Sequence, residues 1–279
     1  FGRLDPAAGK VTRWALGGDQ NLAGLAFDQQ GRVWLTQFFG LEVYRFDPAS
    51  NELCTYDTGA PSYYILARDG LVWLGNWGED RIYRLDPDRG RATWWRIPGA
   101  NATPVGLALD ASGHLWWADS SRAMLARLDP ALGTMVTYAL PVGTTPQMIT
   151  LRHSRVWYTE KDQGTLGVLN PALEAGTTTS LASGSQPLES TCRSLGGGTT
   201  ATVERETGTL DWVEGAVEPI LDAGGFAVYQ LPAGSSPYGL AGSAGVLWTA
   251  DRGRMKLLRL QLPEVETVFL PLAQWRAGR

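Results

Sequence analysis

The sequence contains few of the residues from which redox and acid–base sites are usually built. Its 279 residues include two cysteines and two histidines. The two cysteines, Cys54 and Cys192, cannot form a disulfide framework, so neither an oxidising nor a reducing compartment is excluded. A histidine acting as general base has two candidate positions, His114 and His153.

Long hydrophobic runs and an excess of positive charge are also missing. No apolar stretch approaches the roughly 20 residues of a transmembrane helix, and the N-terminal residues resemble no leader peptide. We therefore expect a soluble chain. Its compartment stays unknown, and secretion or export to a periplasm after processing is left open. The formal net charge of -4 offers no basic footprint for a phosphate backbone, so we expect no nucleic-acid partner.

Glycine and tryptophan, by contrast, are abundant, with 34 and 12 residues. Many glycines together with many aromatic residues favour numerous short strands joined by tight turns. Tryptophans that follow Val or Leu are spaced 39, 43, 41 and 91 residues apart, at Trp34, Trp73, Trp116, Trp157 and Trp248. The last spacing is about two periods, which predicts a copy without tryptophan between the last two. Residues 200–204 fit its place.

Two further motifs repeat in register with the tryptophans. Arg-Leu-Asp-Pro or a close variant begins at Arg3, Arg45, Arg84, Arg127 and Val168, with spacings of 42, 39, 43 and 41. A proline opens most units, at Pro61, Pro104, Pro146, Pro187 and Pro237, with Leu22 in its place in the first full copy. Three motifs in register over nearly the whole chain indicate a true internal repeat.

Each unit has the pattern of four strands joined by turns, and no helical period is present. Roughly 40 residues and four antiparallel strands per repeat predict an all-β fold, a β-propeller, rather than a β-sandwich. Full blades are expected to start near residues 21, 60, 103, 145, 186 and 236, with a partial blade over residues 1–20. We predict one domain over residues 1–279, with seven blades, of which the first lacks two strands upstream of Phe1.

The unit near residue 186 departs from the repeat. It lacks the tryptophan and contains a long connection over residues 214–225. Val217, Ile220 and Leu221 in this connection are expected to pack on the outer strand or against another chain, although a tolerated insertion is the alternative. The blade assignment puts Cys54 in an outer strand and Cys192 in an inner strand several blades away, so we expect no disulfide between them.

The repeat resembles the streptogramin B (virginiamycin B) lyase family of seven-bladed propellers. Pro-x-Gly-Leu, a glycine turn, and then Trp-x-Ala-Asp or Trp-Ala-Asp carry the resemblance most clearly in residues 237–251 and 104–119. The family resemblance implies elimination that opens a cyclic depsipeptide, with a histidine base and a Mg²⁺ ion near the channel mouth. The family's histidine follows the unit-opening proline in two late blades, and a glutamate precedes one of those prolines.

This sequence departs from that pattern at every unit. No residue after an opening position is histidine, and no residue before one is glutamate. Both histidines map instead to the opposite edge of the blades. We therefore expect a ligand-binding, protein-binding or scaffold propeller, with a small molecule or a protein as its partner. The alternative is a divalent-metal-dependent lyase or lactonase-type enzyme that acts on a cyclic ester at the channel mouth.

Oxygen-bearing side chains stand three residues after each repeat tryptophan. They are Gln37, Asn76, Asp119, Glu160 and Asp251, with Glu204 in the copy that lacks tryptophan. Mg²⁺ and Ca²⁺ take such ligands, so Asp119, Glu160, Glu204 and Asp251 form a candidate metal site at the channel mouth. The alternative is that these side chains accept hydrogen bonds in the following loop. Arg122, Lys161 and Arg252 are candidates to offset the charge.

Aromatic residues cluster at the same predicted rim. Candidate ligand-binding residues are Tyr63, Trp77, Trp117, Tyr158 and Tyr238, with Phe38, Phe39 and Tyr64 beside them. They suit a pocket for an apolar or cyclic ligand, and packing between blades is the alternative.

Overall fold

A computed structural model describes the chain over most of its length. The described residues are 1–5, 8, 10–17, 21–59, 61–76, 78–196, 198–202, 212–216, 219–223, 226–231, 233–243, 246–251 and 256–261. Over these ranges the regular structure is all β, without a helix. No helix long and apolar enough to cross a membrane occurs in this part of the chain.

The strands form six sheets, numbered here 1 to 6. Sheet 1 has the order β1 (Gly2–Asp5), β2 (Lys10–Arg13) and β21 (Thr199–Thr202). Sheet 2 consists of β3 (Leu22–Phe27), β4 (Val33–Gln37), β5 (Glu42–Asp47), β6 (Glu52–Asp57) and β20 (Ser190–Ser194). Sheet 3 consists of β7 (Ser62–Arg68), β8 (Leu71–Asn76), β9 (Arg81–Asp86), β10 (Arg91–Arg96) and β19 (Ser183–Pro187).

Sheets 4 to 6 are likewise built from consecutive strands, and each also includes at least one strand from a distant part of the chain. Sheet 4 consists of β11 (Pro104–Leu109), β12 (Leu115–Asp119), β13 (Met124–Asp129), β14 (Thr134–Ala139) and β18 (Thr177–Ser180). Sheet 5 consists of β15 (Pro146–Arg152), β16 (Arg155–Glu160), β17 (Thr165–Leu169), β24 (Phe226–Gln230) and β23 (Pro219–Ala223). Sheet 6 consists of β25 (Pro237–Ser243), β26 (Val246–Asp251), β27 (Lys256–Gln261) and β22 (Trp212–Ala216).

The repeat motifs shape the turn between the first and second strands of a sheet. In sheet 2, the Asp28 carboxylate accepts hydrogen bonds from the backbone amide of Arg32 at 3.0 Å and from the Trp34 indole at 3.0 Å. Gly31 occupies the left-handed region at φ 77, where glycine carries no steric penalty. In sheet 4, Asp110 binds the Trp116 indole in the same way at 3.1 Å. The recurring aspartate, glycine and tryptophan are therefore one turn-forming unit.

The structure divides into two compact units. The first comprises Phe1–Leu107, Ala131–Gly133 and Ser180–Thr209, and the second comprises Ala108–Pro130, Thr134–Thr179 and Leu210–Arg279. In the first unit, one buried cluster joins sheets 2 and 3 and contains Trp34, Val43, Tyr56, Leu74, Tyr83 and Leu85. In the second unit, a cluster joins sheets 5 and 6 and contains Trp157, Leu166, Val168, Tyr229, Leu231 and Leu247.

The segment over residues 177–223, named here the edge segment, corrects the predicted blade near residue 186. Its strands β18 to β23 form no sheet of their own and join six different sheets. In the first unit, β19, β20 and β21 pair antiparallel with β10, β6 and β2, the fourth strands of their repeats. In the second unit, β22 pairs parallel with β27, and β24 lies beside β17 as the fourth strand of sheet 5. The predicted connection over residues 214–225 therefore includes β23, which pairs with β24.

The two cysteines are joined, contrary to the expectation that they lie too far apart. Cys192 on β20 lies directly opposite Cys54 on β6 in the antiparallel ladder, and their sulfur atoms form a disulfide with a Cα–Cα distance of 4.0 Å. The prediction was wrong because it placed Cys192 on an inner strand, whereas β20 is an edge strand of the sheet that contains Cys54.

Candidate functional site

The strand-start edge is the edge of a sheet where its first strand begins and its second strand ends. Four of the residues that stand three after a repeat tryptophan pair with a residue near the start of a first strand. These pairs are Leu22 with Gln37, Ser62 with Asn76, Pro146 with Glu160, and Pro237 with Asp251. The sequence period therefore placed these polar residues correctly at one edge of each sheet.

In the first unit, the amide side chains at this edge make local hydrogen bonds. Asn76 is fully buried, and its Oδ1 accepts a hydrogen bond from the Glu79 amide at 2.8 Å. Gln37 is also buried, and its Nε2 donates to the Tyr44 hydroxyl. The Asn76 contact agrees with the alternative that these side chains accept hydrogen bonds in the following loop, whereas Gln37 donates to a side chain of β5.

In the second unit, Asp119 ends β12 with a fully buried side chain. Its carboxylate accepts hydrogen bonds from Arg122 Nε at 2.9 Å and from Ser121 Oγ at 3.1 Å, and Arg122 Nη2 donates to the same oxygen as Nε. The guanidinium therefore offsets the negative charge, as the sequence suggested for Arg122.

Glu160 ends β16 at the same repeat position, but it has no cation beside it in the described contacts. The residue is 2% exposed, and its Oε2 atom has no hydrogen-bond partner. Burial raises the pKa of the Glu160 carboxyl to about 7, although hydrogen bonds from the Thr145 amide and the Thr144 hydroxyl lower it. The nearby charge of Asp162 raises this pKa further.

Other buried polar atoms without a partner surround Glu160. Tyr158 precedes it by two residues on the same face of β16, and Thr165 lies opposite it on β17. The Tyr158 hydroxyl and the Thr165 Oγ1 atom are buried without a hydrogen-bond partner, as is Thr145 Oγ1. Burial, followed by the Glu160 charge, raises the pKa of Tyr158. This group is named here the Glu160 cluster, and each of these buried oxygen atoms lacks a hydrogen-bond partner in the described structure.

The histidines lie at the opposite edge of the sheets. His114 immediately precedes β12, and its Nδ1 is 3.0 Å from the Asp110 carboxylate in the turn between β11 and β12. Five residues of extended strand separate it from Asp119, which corresponds to about 17 Å. His153 is an exposed residue with φ 47 in the two-residue turn between β15 and β16.

The predicted aromatic rim splits into a packed part and an exposed part. Trp117 and Tyr158 have no solvent exposure, which agrees with the packing alternative. In the first unit, Phe38 contacts Tyr63 with ring centroids 4.1 Å apart and Phe39 with centroids 4.6 Å apart. Phe38 and Phe39 are 40% and 67% exposed. Phe38, Phe39, Tyr63 and the neighbouring Tyr64 are named here the aromatic cluster.

Several predicted residues lie outside the part of the chain that the structure describes. They are Trp77, Glu204, Val217 and Arg252. For Ile220, Leu221, Tyr238 and Asp251, the structure describes the strand but not the side chain. The predicted contacts of these residues stay predictions.

The described carboxylates do not by themselves form a cation site. Calcium and magnesium usually take six or more oxygen ligands. At the strand-start edge of the second unit, Asp119 already binds Arg122, and of the two described candidate ligands Glu160 is the one with an oxygen atom that has no partner. Among described residues, the group of potential ligands that lie within 4.8 Å of one another is Glu52 with the disulfide-bonded Cys54 and Cys192. A cation at Glu160 would need further ligands.

Residues 1–210 match the family model of the virginiamycin B lyase family. The chain belongs to this family. No curated protein matches it. Membership of the virginiamycin B lyase family confirms the resemblance that the repeat motifs carried, and the motif in residues 104–119 lies within the matched part of the chain.

Three solved structures similar to this chain are virginiamycin B or streptogramin B lyases. Virginiamycin B lyase from Staphylococcus aureus is 17% identical, with a TM-score of 0.57 over 90% of this chain and 84% of that one. A streptogramin B lyase structure is 17% identical, with a TM-score of 0.58 over 91% and 87%. A catalytically inactive S. aureus virginiamycin B lyase with quinupristin is 15% identical, with a TM-score of 0.55 over 89% and 97%. The chain therefore has the predicted β-propeller fold, and seven as the number of blades stays a prediction.

The hydroxyl groups around Glu160 were not predicted from the sequence. A signal for two of them was available, because Thr144 and Thr145 directly precede Pro146, which pairs with Glu160. The repeat therefore places both threonines beside the end of β16. Thr165 carried no such signal, since its position depends on the length of the loop after Glu160.

Proposed function

We propose that this chain is a ligand-binding propeller that does not use the histidine-based elimination of its family. The positions of the two histidines carry the proposal. His114 is held by Asp110 in the turn between β11 and β12, and His153 lies in the corresponding turn before β16. A base at that edge cannot reach a ligand at the strand-start edge, because a proton acceptor must lie within hydrogen-bond distance of the proton.

The aromatic cluster is the proposed contact for the ligand. Large apolar side chains are usually covered in a monomer, and exposed groups of them mark binding surfaces. Phe39 is 67% exposed, and neighbouring Leu41 is 49% exposed. Rings in contact present a wide apolar surface that suits an apolar or cyclic small molecule. A protein partner would need a larger covered surface, and it is the alternative occupant.

Quinupristin, the compound in the structural neighbour, is a suitable test ligand. We expect calorimetry to detect binding and mass spectrometry to show no ring opening. Phe39→Ser should weaken binding by about tenfold, since one aromatic contact contributes roughly 1–2 kcal/mol. Leu132→Ser is the control, because Leu132 is 74% exposed in a turn between β13 and β14. Equal loss in both variants, or no binding at all, would remove the aromatic cluster as the site for this ligand.

A second candidate function is a divalent-metal-dependent lyase or lactonase-type reaction on a cyclic ester. The unpartnered Oε2 atom of Glu160 favours it, since a carboxylate with a pKa of about 7 is suited to accept a proton near neutral pH. Turnover that requires Mg²⁺ or Ca²⁺, increases as pH rises through 7 and disappears in Glu160→Gln would establish this function. Turnover retained in Glu160→Gln would exclude Glu160 as the base.

A further inference from the structure

The two cysteines of the Cys54–Cys192 disulfide differ in their access to solvent. Cys54 on β6 has no solvent exposure and belongs to the buried cluster that contains Trp34 and Tyr56. Cys192 on β20 is exposed, as are the other four residues of that strand. Thiol–disulfide exchange requires a thiolate to reach one of the two sulfur atoms. A thiol in solution therefore reaches the sulfur of Cys192 and not that of Cys54.

A repeat arginine lies beside the buried sulfur atom. Arg45, in the Arg-Phe-Asp-Pro copy of the repeat motif, pairs directly with Cys54, and its Nη2 atom is 3.2 Å from Cys54 Sγ. The Arg45 side chain is 16% exposed, and its guanidinium lies over the rings of Trp34 and Tyr56. A positive charge beside a cysteine stabilises the thiolate. Arg45 therefore favours Cys54 as the leaving group when the disulfide is opened.

Burial and one carboxylate act against a thiolate at Cys54. Glu52 Oε2 is 3.6 Å from Cys54 Sγ and 3.9 Å from Arg45 Nη2. The Glu52 side chain is 50% exposed, so water screens its charge more than that of Arg45. Arg193 follows Cys192 but lies on the other face of β20, where it donates to a backbone carbonyl. Of the two charges at Cys54 Sγ, the guanidinium is therefore the closer and the less screened.

Sheet 3 shows that an edge strand pairs in the same way without a disulfide. Arg84 occupies the motif position of Arg45, and it pairs with Thr93 on β10. Thr93 in turn pairs with Ser185 on β19, as the two cysteines pair in sheet 2. The backbone ladder therefore holds β19 beside β10 without a covalent bond. A bond between β20 and β6 is an addition to this arrangement and not a requirement of it.

We propose that Cys192 is a modification site, which takes up a low-molecular-weight thiol as a mixed disulfide with Cys54 as the leaving group. The thiolate of the small molecule forms a bond to Cys192 Sγ, the Cys54–Cys192 bond breaks, and its electron pair stays on Cys54 Sγ beside Arg45. The small thiol is thereby oxidised and Cys54 is reduced. A second molecule of the same thiol attacks the small-molecule sulfur of the mixed disulfide, which releases the Cys192 thiolate and a small-molecule disulfide. β20 then pairs with β6 through the backbone alone, as β19 pairs with β10.

The position of the adduct tests the direction of exchange. The folded chain is incubated briefly with reduced glutathione at neutral pH, quenched with acid and mapped by peptide mass spectrometry. We expect glutathione on Cys192 and a free thiol at Cys54, because the nucleophile reaches the exposed sulfur. Glutathione on Cys54, equal amounts on both cysteines, or an intact disulfide without adduct would overturn the proposal.

The rate of exchange tests the role of Arg45. Arg45→Met should slow the first step by about fivefold, since a less stable thiolate leaves more slowly. Arg45→Lys should restore most of the rate. Arg84→Met is the matched control, because it removes the same repeat arginine from sheet 3, and it should leave the rate unchanged. Equal slowing in Arg45→Met and Arg84→Met, or no recovery in Arg45→Lys, would overturn the role of the charge.

An exposed carboxylate gives a second test that disturbs the core less. Glu52→Gln removes the negative charge near Cys54 Sγ, so exchange should become about twofold faster. Asp57→Asn, at an exposed carboxylate at the other end of β6, is the control and should leave the rate unchanged. Slower exchange in Glu52→Gln, or the same change in both variants, would contradict a thiolate at Cys54.

Discussion

Asp119 and Glu160 occupy the same repeat position in neighbouring sheets of the second unit, yet their surroundings differ. Each ends the second strand of its sheet, and each is almost completely buried. Arg122, three residues after Asp119, binds the carboxylate, whereas Gln163 stands three residues after Glu160 and donates to the Gly143 carbonyl at 3.0 Å. Burial without a cation raises the pKa of Glu160 to about 7. The repeat thus fixes where this side chain lies, and in these two sheets the loop residue three positions later determines whether a cation lies beside it.

The largest expected effect comes from making Asp119 resemble Glu160. Arg122→Gln should lower the free energy of unfolding by about 3 kcal/mol, because it leaves a buried carboxylate without its partner. Urea unfolding at pH 7 measures this difference. Arg89→Gln is the matched control, since Arg89 pairs with Asp86 at the same spacing but is 79% exposed. That control should leave the free energy of unfolding almost unchanged, because solvent screens the exposed pair. Equal losses in the two variants would contradict the role of burial.

Removing the charge of Glu160 should have the opposite sign. The folded-state pKa of about 7 lies above the ordinary value of 4.5, so the folded state binds a proton more tightly than the unfolded state. Stability from this group is fully present below pH 4.5 and is lost as pH rises through 7. Glu160→Gln should therefore raise the free energy of unfolding at pH 8 by about 2 kcal/mol. Unfolding from pH 4 to 8 measures the effect, and an unchanged pH profile would contradict it.

An arginine at position 163 should give Glu160 the kind of charged partner that Arg122 provides for Asp119. Gln163 is exposed, so Gln163→Arg can place a guanidinium beside the end of β16. The pKa of Glu160 should fall by about one unit or more, as expected for a carboxylate beside an arginine. The pH dependence of unfolding reports this pKa, and Gln163→Lys tests whether charge alone suffices. A pKa that stays near 7 in both variants would show that burial outweighs the added charge.

The smallest expected effect is stabilisation by a divalent cation. Because the Oε2 atom of Glu160 has no partner, Mg²⁺ or Ca²⁺ should raise the melting temperature by a few degrees above pH 7, where the carboxylate is charged. Glu160→Gln should abolish the rise, whereas Asp162→Asn, at an exposed carboxylate two residues away, should retain it. No response to either cation would limit these carboxylates to local hydrogen bonding.

The sequence predicted the strands of the repeat but not the edge segment. Tryptophan and Arg-Leu-Asp-Pro spacings located the inner three strands of sheets 2 to 5, since each motif has a local structural role in a turn or strand. The strands β18 to β20 are short and rich in Ser, Thr and Gly. They pair with strands far away in sequence and contain none of the repeat motifs, so the repeat spacing does not predict them. The disulfide was missed for the same reason, because the position of Cys192 depends on that pairing.

The candidate site was predictable in position and less so in chemistry. The spacing after each tryptophan located Asp119 and Glu160 at the strand-start edge, and Arg122 was named as a charge that offsets the acids. The raised pKa of Glu160 was not predictable, since it depends on how completely neighbouring side chains exclude water. Likewise, residue type alone did not separate Trp117 and Tyr158, which are buried, from Phe39, which is exposed.

The edge segment also sets an order of events during synthesis. β6, β10 and β14 are made before the strands that later pair with their outer edges. Cys54 and Cys192 are 138 residues apart, so the ribosome needs roughly 7–28 s between them at about 5–20 residues per second. During that interval the outer edge of β6 can pair with other nascent chains, which makes slow translation before residue 177 a hazard for aggregation. Once residues 177–194 are made, β18, β19 and β20 can pair with the outer edges of β14, β10 and β6.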